Sequence, residues 1–399
     1  MGIEASLRAP DRGPRSDLGV AMLDHVRAMR GEFVDFLTRL AALESPTDSP
    51  GSQAAVQGVL AEALRELGYD VRLIPGRETG GHLYARRAAR VRGRPRQLLV
   101  GHTDTVWPLG TLREMPLHVE DGRLHGPGTL DMKGGLTQIV FALRALAELG
   151  LEPPVEPVVL MNSDEEIGSP ESRRWVRSLA RVACRAFILE PALGPDARIK
   201  TGRKGVGRFD VTIRGRASHA GLQPEAGLSA IVELSHVIQN LHALNDPERG
   251  TTVNVGIIDG GVRPNVVAPT ARAQVDVRVR TLDDAERVER AILGLEPTIP
   301  GIRLEVAGGV RIPPLERTPR NRRLWAQARD AGYDLGFELD EGTAGGGSDG
   351  NTTSLFTATL DGLGCVGDGA HAAHEHIEID PSIERCALLA WLLLLPAGA

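Results

Sequence analysis

Short apolar runs that each end in a potential metal ligand constrain this chain more than any other feature of its sequence. Three runs have this form, and they read Leu98-Leu-Val-Gly-His102, Val158-Val-Leu-Met-Asn-Ser-Asp-Glu165-Glu166 and Phe187-Ile-Leu-Glu190. Continuous apolar runs of this length are typical of strands buried in a parallel sheet. Ligand crevices in open α/β sheets form at the carboxyl ends of the strands, so we expect these ligand residues, remote in sequence, to converge there.

Amphipathic helices are predicted between and before these strands. Residues 18–43, 54–67 and 136–149 carry apolar side chains at helical spacing, and Gly68 and Gly150 end the second and third stretches. Strands that alternate with helices predict an α/β fold, with a mixed sheet flanked by helices.

The periodicity changes from about Lys204, where strands with one exposed face replace fully buried ones. The predicted strands and helices cover residues 209–213, 226–244, 251–258, 271–280, 283–295 and 303–306, in the order βαββαβ. This order is that of a ferredoxin-like α+β domain. Because the α/β pattern resumes near Asn321, we predict that this domain is inserted into the first.

Four segments follow from these patterns. We predict a disordered arm over residues 1–16, which are rich in Arg and Pro and lack the apolar stretch of a secretory signal. The catalytic domain takes residues 17–203 and 314–399, and the inserted lid domain takes residues 204–313.

The composition argues against several classes of partner. A net charge of −6 gives no electrostatic reason to bind nucleic acid or an anionic membrane. The apolar tail over residues 387–395 is far shorter than the roughly 20 residues that span a bilayer. Cys184, Cys365 and Cys386 form no C-x-x-C pair, which indicates a reducing compartment without disulfides. We therefore expect a cytoplasmic protein.

His102 and Asp104 form an H-x-D motif at the end of the first run. A metal-bound histidine needs an acceptor for its other ring nitrogen, and a carboxylate two residues further on can provide one. A turn or capping role also explains this motif. Asp131, in a Gly-rich turn before a helix, likewise fits an N-cap. None of the three residues identifies a site by itself.

The other candidates are carboxylates and one histidine. Glu165 and Glu166 point to different sides after a strand, so one can bind metal while the other faces substrate as general base; a solvated acidic turn is the alternative. Glu190 closes a buried run, where an unpaired carboxylate is costly and a nearby cation removes the cost. In the histidine-rich loop 371–376 we favour His371, which follows Gly-Asp-Gly-Ala. This donor set without cysteine suits a hard divalent cation.

In combination, these motifs resemble the dinuclear-zinc carboxypeptidase and aminoacylase family, which includes glutamate carboxypeptidase, acetylornithine deacetylase and succinyl-diaminopimelate desuccinylase. The resemblance covers roughly residues 20–395. The matching motifs read Gly-His102-Thr-Asp104-Thr-Val, Gly-Pro-Gly-Thr-Leu-Asp131-Met-Lys-Gly-Gly, Asp-Glu165-Glu166-Ile-Gly-Ser, Glu190-Pro, Ala-Ser-His219-Ala-Gly and Gly-Gly-Gly-Ser-Asp349.

The resemblance implies a two-metal site that holds Zn²⁺, with Co²⁺ or Mn²⁺ as alternatives. The implied ligands are His102 and Glu190 on one metal, Glu166 and His371 on the other, and Asp131 bridging both. Further implied roles are Glu165 as general base and acid, Asp104 as the residue that orients His102, and His219 as a donor to the oxyanion. The family also implies a homodimer formed through the lid domain.

The implied reaction is hydrolysis of an amide bond by a metal-activated water, which releases a C-terminal amino acid from a peptide or an N-acyl-amino acid. Asn265, Arg278 and the backbone of Gly346 and Gly347 match positions that contact substrate, although a turn Asn and a strand-face Arg explain the first two equally well. The alternatives are an N-acyl-amino-acid deacylase of a biosynthetic pathway and a catalytically silent binding relative. No implied ligand is missing, and neither is Glu165.

One motif departs from the family. Many relatives carry Asn-Arg-Pro-Pro near the exit of the lid, where this chain has Arg311-Ile312-Pro313-Pro314. A guanidinium that would pair with a carboxylate is therefore missing, or Arg311 replaces it from one position away. Ile312 favours a neutral or aromatic C-terminal residue over glutamate.

Overall fold

The computed structural model describes residues 16–89 and 91–398, so the predicted arm over 1–16 lies almost entirely outside the described part. The chain forms two compact units. The first comprises the chain up to Thr201, Arg317–Thr343 and the chain from Ser348 onwards; the second comprises Gly202–Glu316 and Ala344–Gly347.

The boundaries differ from the predicted ones in one instructive place. Ala344–Gly347, which the prediction assigned to the catalytic domain, belongs to the second unit. One backbone and one side-chain hydrogen bond explain this: Lys204 donates its backbone N–H to the Ala344 carbonyl at 3.0 Å, and the Arg203 side chain donates through Nη1 to the Gly347 carbonyl at 3.1 Å.

The helices are α1 (Asp17–Ala28), α2 (Arg30–Ala41), α3 (Gln53–Glu66), α4 (Gly134–Glu148), α5 (Arg173–Ala180), α6 (Ala230–His242), α7 (Leu282–Leu293), α8 (Pro319–Leu335), α9 (Asp349–Thr353) and α10 (Ile379–Leu393). The strands are β1 (Tyr69–Ile74), β2 (His82–Arg87), β3 (Arg96–His102), β4 (His118–Glu120), β5 (Arg123–His125), β6 (Glu156–Asn162), β7 (Ala183–Ile188), β8 (Ile199–Arg203), β9 (Gly205–Arg214), β10 (Thr252–Gly260), β11 (Thr270–Val279), β12 (Arg303–Ile312), β13 (Glu341–Ala344), β14 (Ala358–Leu360), β15 (Gly367–Asp368) and β16 (His376–Glu378).

The first unit is built on a six-stranded sheet in the order β1-β2-β6-β3-β7-β14. Strands β6, β3, β7 and β14 are parallel neighbours, whereas β1 and β2 are antiparallel, so the sheet is mixed as predicted. Alternate residues of the buried strands face opposite layers: Leu99 packs with the larger helical layer, and Leu98 and Val100 pack with α5. Helices therefore cover both faces.

The stretch predicted as one helix over residues 18–43 is two helices, α1 and α2, with a break at Met29. Met29 has φ −81° and ψ 5°, and its N–H bonds to the Val26 carbonyl three residues back. Met29 is itself buried in the core, so the apolar pattern continues through the break and does not reveal it.

The predicted ligands converge because the parallel strands end side by side. His102 is the last residue of β3, and it pairs with Asn162, the last residue of β6. Glu165 follows β6 by three residues, and Glu190 follows β7 by two. A separate small sheet, β15-β16-β5-β4, was not predicted, and the loop between β15 and β16 carries His371.

The second unit contains an antiparallel sheet in the order β10-β11-β9-β12, with α6 and α7 packed against it. In chain order these elements are βαββαβ, the predicted ferredoxin-like arrangement. Leu234, Val237 and Leu241 of α6 face this core, whereas Ile231 stays about half exposed. Within the described residues, no helix is both long and apolar enough to cross a lipid bilayer.

Candidate metal centre

His102 is the buried histidine at the centre of the cluster. Its Nε2 atom lies 3.2 Å from Asp131 Oδ1 and 3.5 Å from Glu190 Oε1. Its Nδ1 atom lies 2.9 Å from the backbone carbonyl oxygen of Asp104. When a carbonyl accepts the Nδ1 proton, Nε2 is the nitrogen left to bind a metal.

Asp131 stands between two sets of ligand atoms. Its Oδ1 faces His102, and its Oδ2 lies 3.4 Å from His371 Nε2. Glu166 Oε2 lies 3.2 Å from the same nitrogen of His371. The structure thus brings together the five predicted ligands, with Asp131 shared between a His102–Glu190 group and a His371–Glu166 group.

The charges of this cluster shift the pKa values of both histidines. Burial alone would lower the pKa of His102, but the carboxylates of Asp104, Asp131 and Glu190 raise it well above its ordinary value. Hydrogen bonds to Asp131 and then Glu166 raise the pKa of His371 to about 10. Carboxylates packed this closely need positive charge beside them.

The donor set fits a hard divalent cation. Ligand atoms of His102, Asp131 and Glu166 lie within 4.8 Å of one another, and so do those of His102, Glu165 and Glu190. Glu166 Oε1 is buried and has no hydrogen-bond partner among the described residues, which is costly unless a cation takes its lone pairs. Imidazole and carboxylate donors without thiolate suit Zn²⁺, Co²⁺ or Mn²⁺.

Glu165 lies beside the same cluster, with a ligand atom within 4.8 Å of those of His102 and Glu190, whereas its neighbour Glu166 forms an ion pair with His371. Burial first, and then the negative charge of Glu190, raise the pKa of Glu165 well above its ordinary value. A carboxylate with this environment beside a metal site is suited to accept and return a proton.

Asp104 does more than the predicted orientation of His102. The Asp104 carboxylate Oδ1 lies 3.5 Å from His102 Nδ1, whereas the backbone carbonyl oxygen of Asp104 lies 2.9 Å from the same nitrogen. The same carboxylate accepts the N–H groups of Glu165 at 3.3 Å and Glu166 at 3.2 Å, and the Thr47 hydroxyl at 2.8 Å. Asp104 therefore also fixes the turn that carries the two glutamates.

His219 lies in the second unit, exposed, next to Asn265. The His219 Nδ1 atom accepts the backbone N–H groups of Gly221 at 3.1 Å and Leu222 at 3.2 Å. In the neutral ring the proton therefore resides on Nε2, which leaves an N–H donor free. Ala220, which follows His219, donates its N–H to the Asn265 carbonyl at 3.1 Å.

Arg278 and Ile312 share one face of the second unit's sheet, because both pair with Val206 across β9. Arg278 Nη1 contacts the Gly345 carbonyl at 3.4 Å, and a side chain at Gly347 would meet Ile312 at 3.1 Å. The predicted substrate residues Arg278, Gly346 and Gly347 therefore lie near one another. Arg278 also pairs with both oxygens of the Asp276 carboxylate.

The structure does not bring His219 and Asn265 to Arg278. Arg278 pairs at the Val206 end of β9, and Thr270 pairs with Arg214 at the other end, close to Asn265. Eight residues of extended strand separate the two ends, which is about 26 Å. Within one chain, the predicted substrate contacts of the second unit therefore form two separate groups.

A sequence model of the peptidase family M20/M25/M40 matches residues 98–394. The chain belongs to this family. Carboxypeptidase G2 of Pseudomonas sp. (strain RS-16) is 30% identical over 377 residues, which cover 91% of this chain and 88% of that protein. Succinyl-diaminopimelate desuccinylase of Gluconacetobacter diazotrophicus is 27% identical, with 84% of this chain and 90% of that protein covered. The family resemblance drawn from the motifs is confirmed.

The fold agrees with solved structures. An aminopeptidase from Bacillus cereus superposes with a TM-score of 0.77 at 22% identity, covering 92% of this chain and 98% of that one. An M20 family metallo-carboxypeptidase from Sulfolobus solfataricus gives a TM-score of 0.69 at 18% identity, covering 91% and 98%. By family membership the chain is a metallohydrolase.

Glu375 supports the centre of this M20 hydrolase, and the sequence did not reveal its role. Its buried carboxylate accepts the backbone N–H groups of Gly128 at 2.9 Å, and of Leu130 and Asp131 at 3.0 Å each. Trp107 Nε1 donates to it at 2.7 Å. Glu375 therefore holds the turn that presents Asp131. Its place four residues after His371 was the only signal.

Asp349 is a second buried carboxylate near the site, and the motif Gly-Gly-Gly-Ser-Asp349 was recognised without a role for it. It accepts hydrogen bonds from Asn162 at 2.5 Å and Ser169 at 2.7 Å. Burial raises the pKa of Asp349 to about 6. Because Asn162 ends β6 and Ser169 follows the Glu165–Glu166 turn, Asp349 ties the two sides of that turn together.

Proposed function

We propose that this metallohydrolase cleaves an amide bond and releases the C-terminal amino acid of a peptide or an N-acyl-amino acid. The observation that carries the proposal is Asp131, whose two oxygens face a His102–Glu190 group and a His371–Glu166 group. Relatives named carboxypeptidase G2, acetylornithine deacetylase and succinyl-diaminopimelate desuccinylase support the amide substrate.

The five clustered residues would hold two divalent cations, Zn²⁺ first and Co²⁺ or Mn²⁺ as substitutes. Bound there, such ions lower the pKa of a water molecule from about 15.7 toward about 7 and polarise the substrate carbonyl. Glu165 takes the proton of the attacking water and delivers it to the leaving nitrogen. Asp104 and Glu375 keep the ligands in place by holding the two turns that carry them.

The test is a hydrolysis screen on metal-reconstituted enzyme, with N-acyl-amino acids and dipeptides as substrates. We expect amide hydrolysis that is lost on chelation and restored by Zn²⁺ or Co²⁺. Hydrolysis of esters or phosphoesters alone would contradict the proposal. Short N-acetyl or N-succinyl substrates taken in preference to peptides would favour the deacylase alternative.

The preferred C-terminal residue follows from Ile312. Ile312 stands where many relatives carry an Arg, shares a sheet face with Arg278, and would meet a side chain placed at Gly347. We propose that Arg278 exchanges its pairing with Asp276 for the α-carboxylate of the substrate, and that no second guanidinium serves an acidic side chain. We expect kcat/KM to be higher for N-acyl-leucine and N-acyl-phenylalanine than for N-acyl-glutamate. A strong glutamate preference would assign the missing role to Arg311.

The second unit is also proposed to form a homodimer. Its edge strand β10 carries Ile257 and Ile258, which are 61% and 62% exposed, and Ile231 and Val232 of α6 are about half exposed. An apolar edge strand with free backbone groups is a template for pairing with a second copy. Because about 26 Å of strand β11 separates Arg278 from the end next to the His219 loop, we propose that His219 serves the metal centre of the partner chain.

Complementation between two inactive variants tests this. His219→Ala should cut turnover by ~10²–10³ if its Nε2–H stabilises an oxyanion, and His242→Ala, also an exposed histidine of this unit, should not. Mixed with Glu165→Gln, the His219→Ala chain should recover about a quarter of wild-type activity, because half of the random dimers then hold one complete site. No recovery, or full activity in a monomeric wild-type protein, would contradict the cross-subunit role.

A further inference from the structure

A second cavity of the first unit, about 300 Å³ in volume, plays no part in the proposed reaction. It lies at the amino ends of β7 and β14, which pair in parallel with Ala358 opposite Arg185. The first two turns of α8 form its other wall, through Arg320, Arg323 and neighbours on the same helix face. The metal ligand of β7, Glu190, follows the opposite end of that strand, about 17 Å from Arg185.

The cavity is basic. Arg185, Arg320 and Arg323 line it, and within residues 16–89 and 91–398 no Asp or Glu side chain does. None of these three arginines pairs with a carboxylate anywhere in the described part of the chain. This is unusual in a chain whose net charge is −6.

Arg185 is the buried member of the group. It donates to Gln97 Oε1 at 2.9 Å and to the carbonyls of Leu395 at 2.5 Å and Pro396 at 3.0 Å, all of them neutral acceptors. Burial lowers the pKa of Arg185. A buried guanidinium with no anion beside it costs free energy, and an anion bound in the cavity would offset that cost.

Arg320 is a second guanidinium of the cavity wall. Its Nη2 donates to the Ser354 carbonyl, while its Nε–H is buried and has no partner among the described residues. Two more guanidiniums, those of Arg177 and Arg181, lie over the Phe356 ring at 5.7 and 4.9 Å from its centroid, and this ring also lines the cavity. Positive charge therefore reaches the cavity from several elements of the fold.

We propose that this cavity binds a small phosphomonoester dianion. A phosphoryl group offers three charged oxygens, so guanidiniums from different elements can each bind it, which a flat carboxylate does not allow as readily. The volume lies at the small end of ligand pockets and admits a phosphate with a short organic body. Phe356 and Leu324 provide apolar wall for that body.

Calorimetric titration of the metal-loaded enzyme with glycerol 3-phosphate tests the proposal. Arg323→Ala removes an exposed lining residue, and Arg322→Ala is its matched control, one position along the same helix, where Arg322 Nε bonds to the Arg317 carbonyl instead. We expect Arg323→Ala to weaken binding about tenfold or more, and Arg322→Ala to change it less than about twofold. Arg320→Ala should weaken it further, with far-ultraviolet circular dichroism confirming that each variant is folded.

A phosphomonoester that bound at the metal ions would bind equally well to both helix variants. The test is therefore the difference in affinity between Arg323→Ala and Arg322→Ala. Equal loss in Arg322→Ala and Arg323→Ala, or no saturable binding up to about 10 mM, would overturn the proposal. It would also be overturned if succinate bound as tightly as the phosphomonoester, or if only anionic vesicles or an oligonucleotide bound at the arginines.

Discussion

The two ends of the central sheet carry opposite charges. At the carboxyl ends of β3 and β6, a cavity of about 550 Å³ is lined by Asp48, Glu78, Glu166 and Glu171, and no described basic residue lines it. At the amino ends of β7 and β14, the cavity of about 300 Å³ is lined by Arg185, Arg320 and Arg323, and no acidic side chain of the described part of the chain lines it. The sheet thus has an acidic cavity, which includes the predicted ligand Glu166, at one end and a basic cavity at the other.

Unpartnered charge in these two cavities indicates ligand chemistry more directly than their volumes do. Glu166 Oε1 at one end and Arg320 Nε at the other are both buried without a partner among the described residues. Each would be costly if nothing filled the place beside it. In each cavity, the charge of this buried unpartnered group has the same sign as the other charged side chains of the lining.

Glu165→Gln should give the largest effect at the acidic end. It removes the general base without touching a ligand of the His102–Asp131 cluster, so turnover should fall by roughly 10²–10⁴-fold with the metal content unchanged. Glu78→Gln, an exposed carboxylate of the same cavity, should leave turnover unchanged. If Glu165→Gln lost metal while Glu166→Gln kept it, the roles of the pair would be reversed.

Glu375→Gln should weaken metal binding by about 10–100-fold, as measured by competition with a chelator. Each oxygen of Glu375 accepts two hydrogen bonds, so an amide NH₂ in place of either oxygen would face two donors. Glu378→Gln, three residues further along the chain, where Glu378 of β16 pairs with Arg123 of β5, serves as control. Equal metal affinity in the two variants would show that Glu375 does not hold the Asp131 turn.

Arg323→Glu should have the smallest effect on catalysis, less than about twofold in kcat/KM. The two ends of the sheet lie well beyond the ~8 Å over which exposed charges interact at physiological ionic strength. Steady-state kinetics beside Arg322→Glu checks this. A tenfold change confined to Arg323→Glu would show that the basic end is coupled to the catalytic one.

The strand ends and most ligands could be predicted from the sequence because they depend on local pattern. Each apolar run forms a buried parallel strand, so His102 and Glu190, which follow two such runs, lie together at the carboxyl ends of β3 and β7. The role of Glu375 could not be predicted, since it bonds to backbone N–H groups 244 to 247 residues earlier in the chain. The basic cavity was missed for a similar reason: Arg185 and Arg320 come from distant segments, and their lack of carboxylate partners is visible only in the fold.

The second unit shows the same limit. Its βαββαβ order follows from periodicity, but periodicity could not show that Ala344–Gly347 joins it, or that Arg278 is already paired with Asp276. Periodicity also could not show which apolar side chains of α6 are buried: Val237 is buried, whereas Ile231 is exposed. Such distinctions depend on which strand lies beneath a residue.

The two-metal site is tested most directly by the number of metal ions per chain, measured by elemental analysis of active, dialysed enzyme together with Glu165→Gln and Glu166→Gln. We expect two ions in the wild type, two in Glu165→Gln, and loss of one in Glu166→Gln. One ion or none in fully active wild-type protein would contradict the two-metal site.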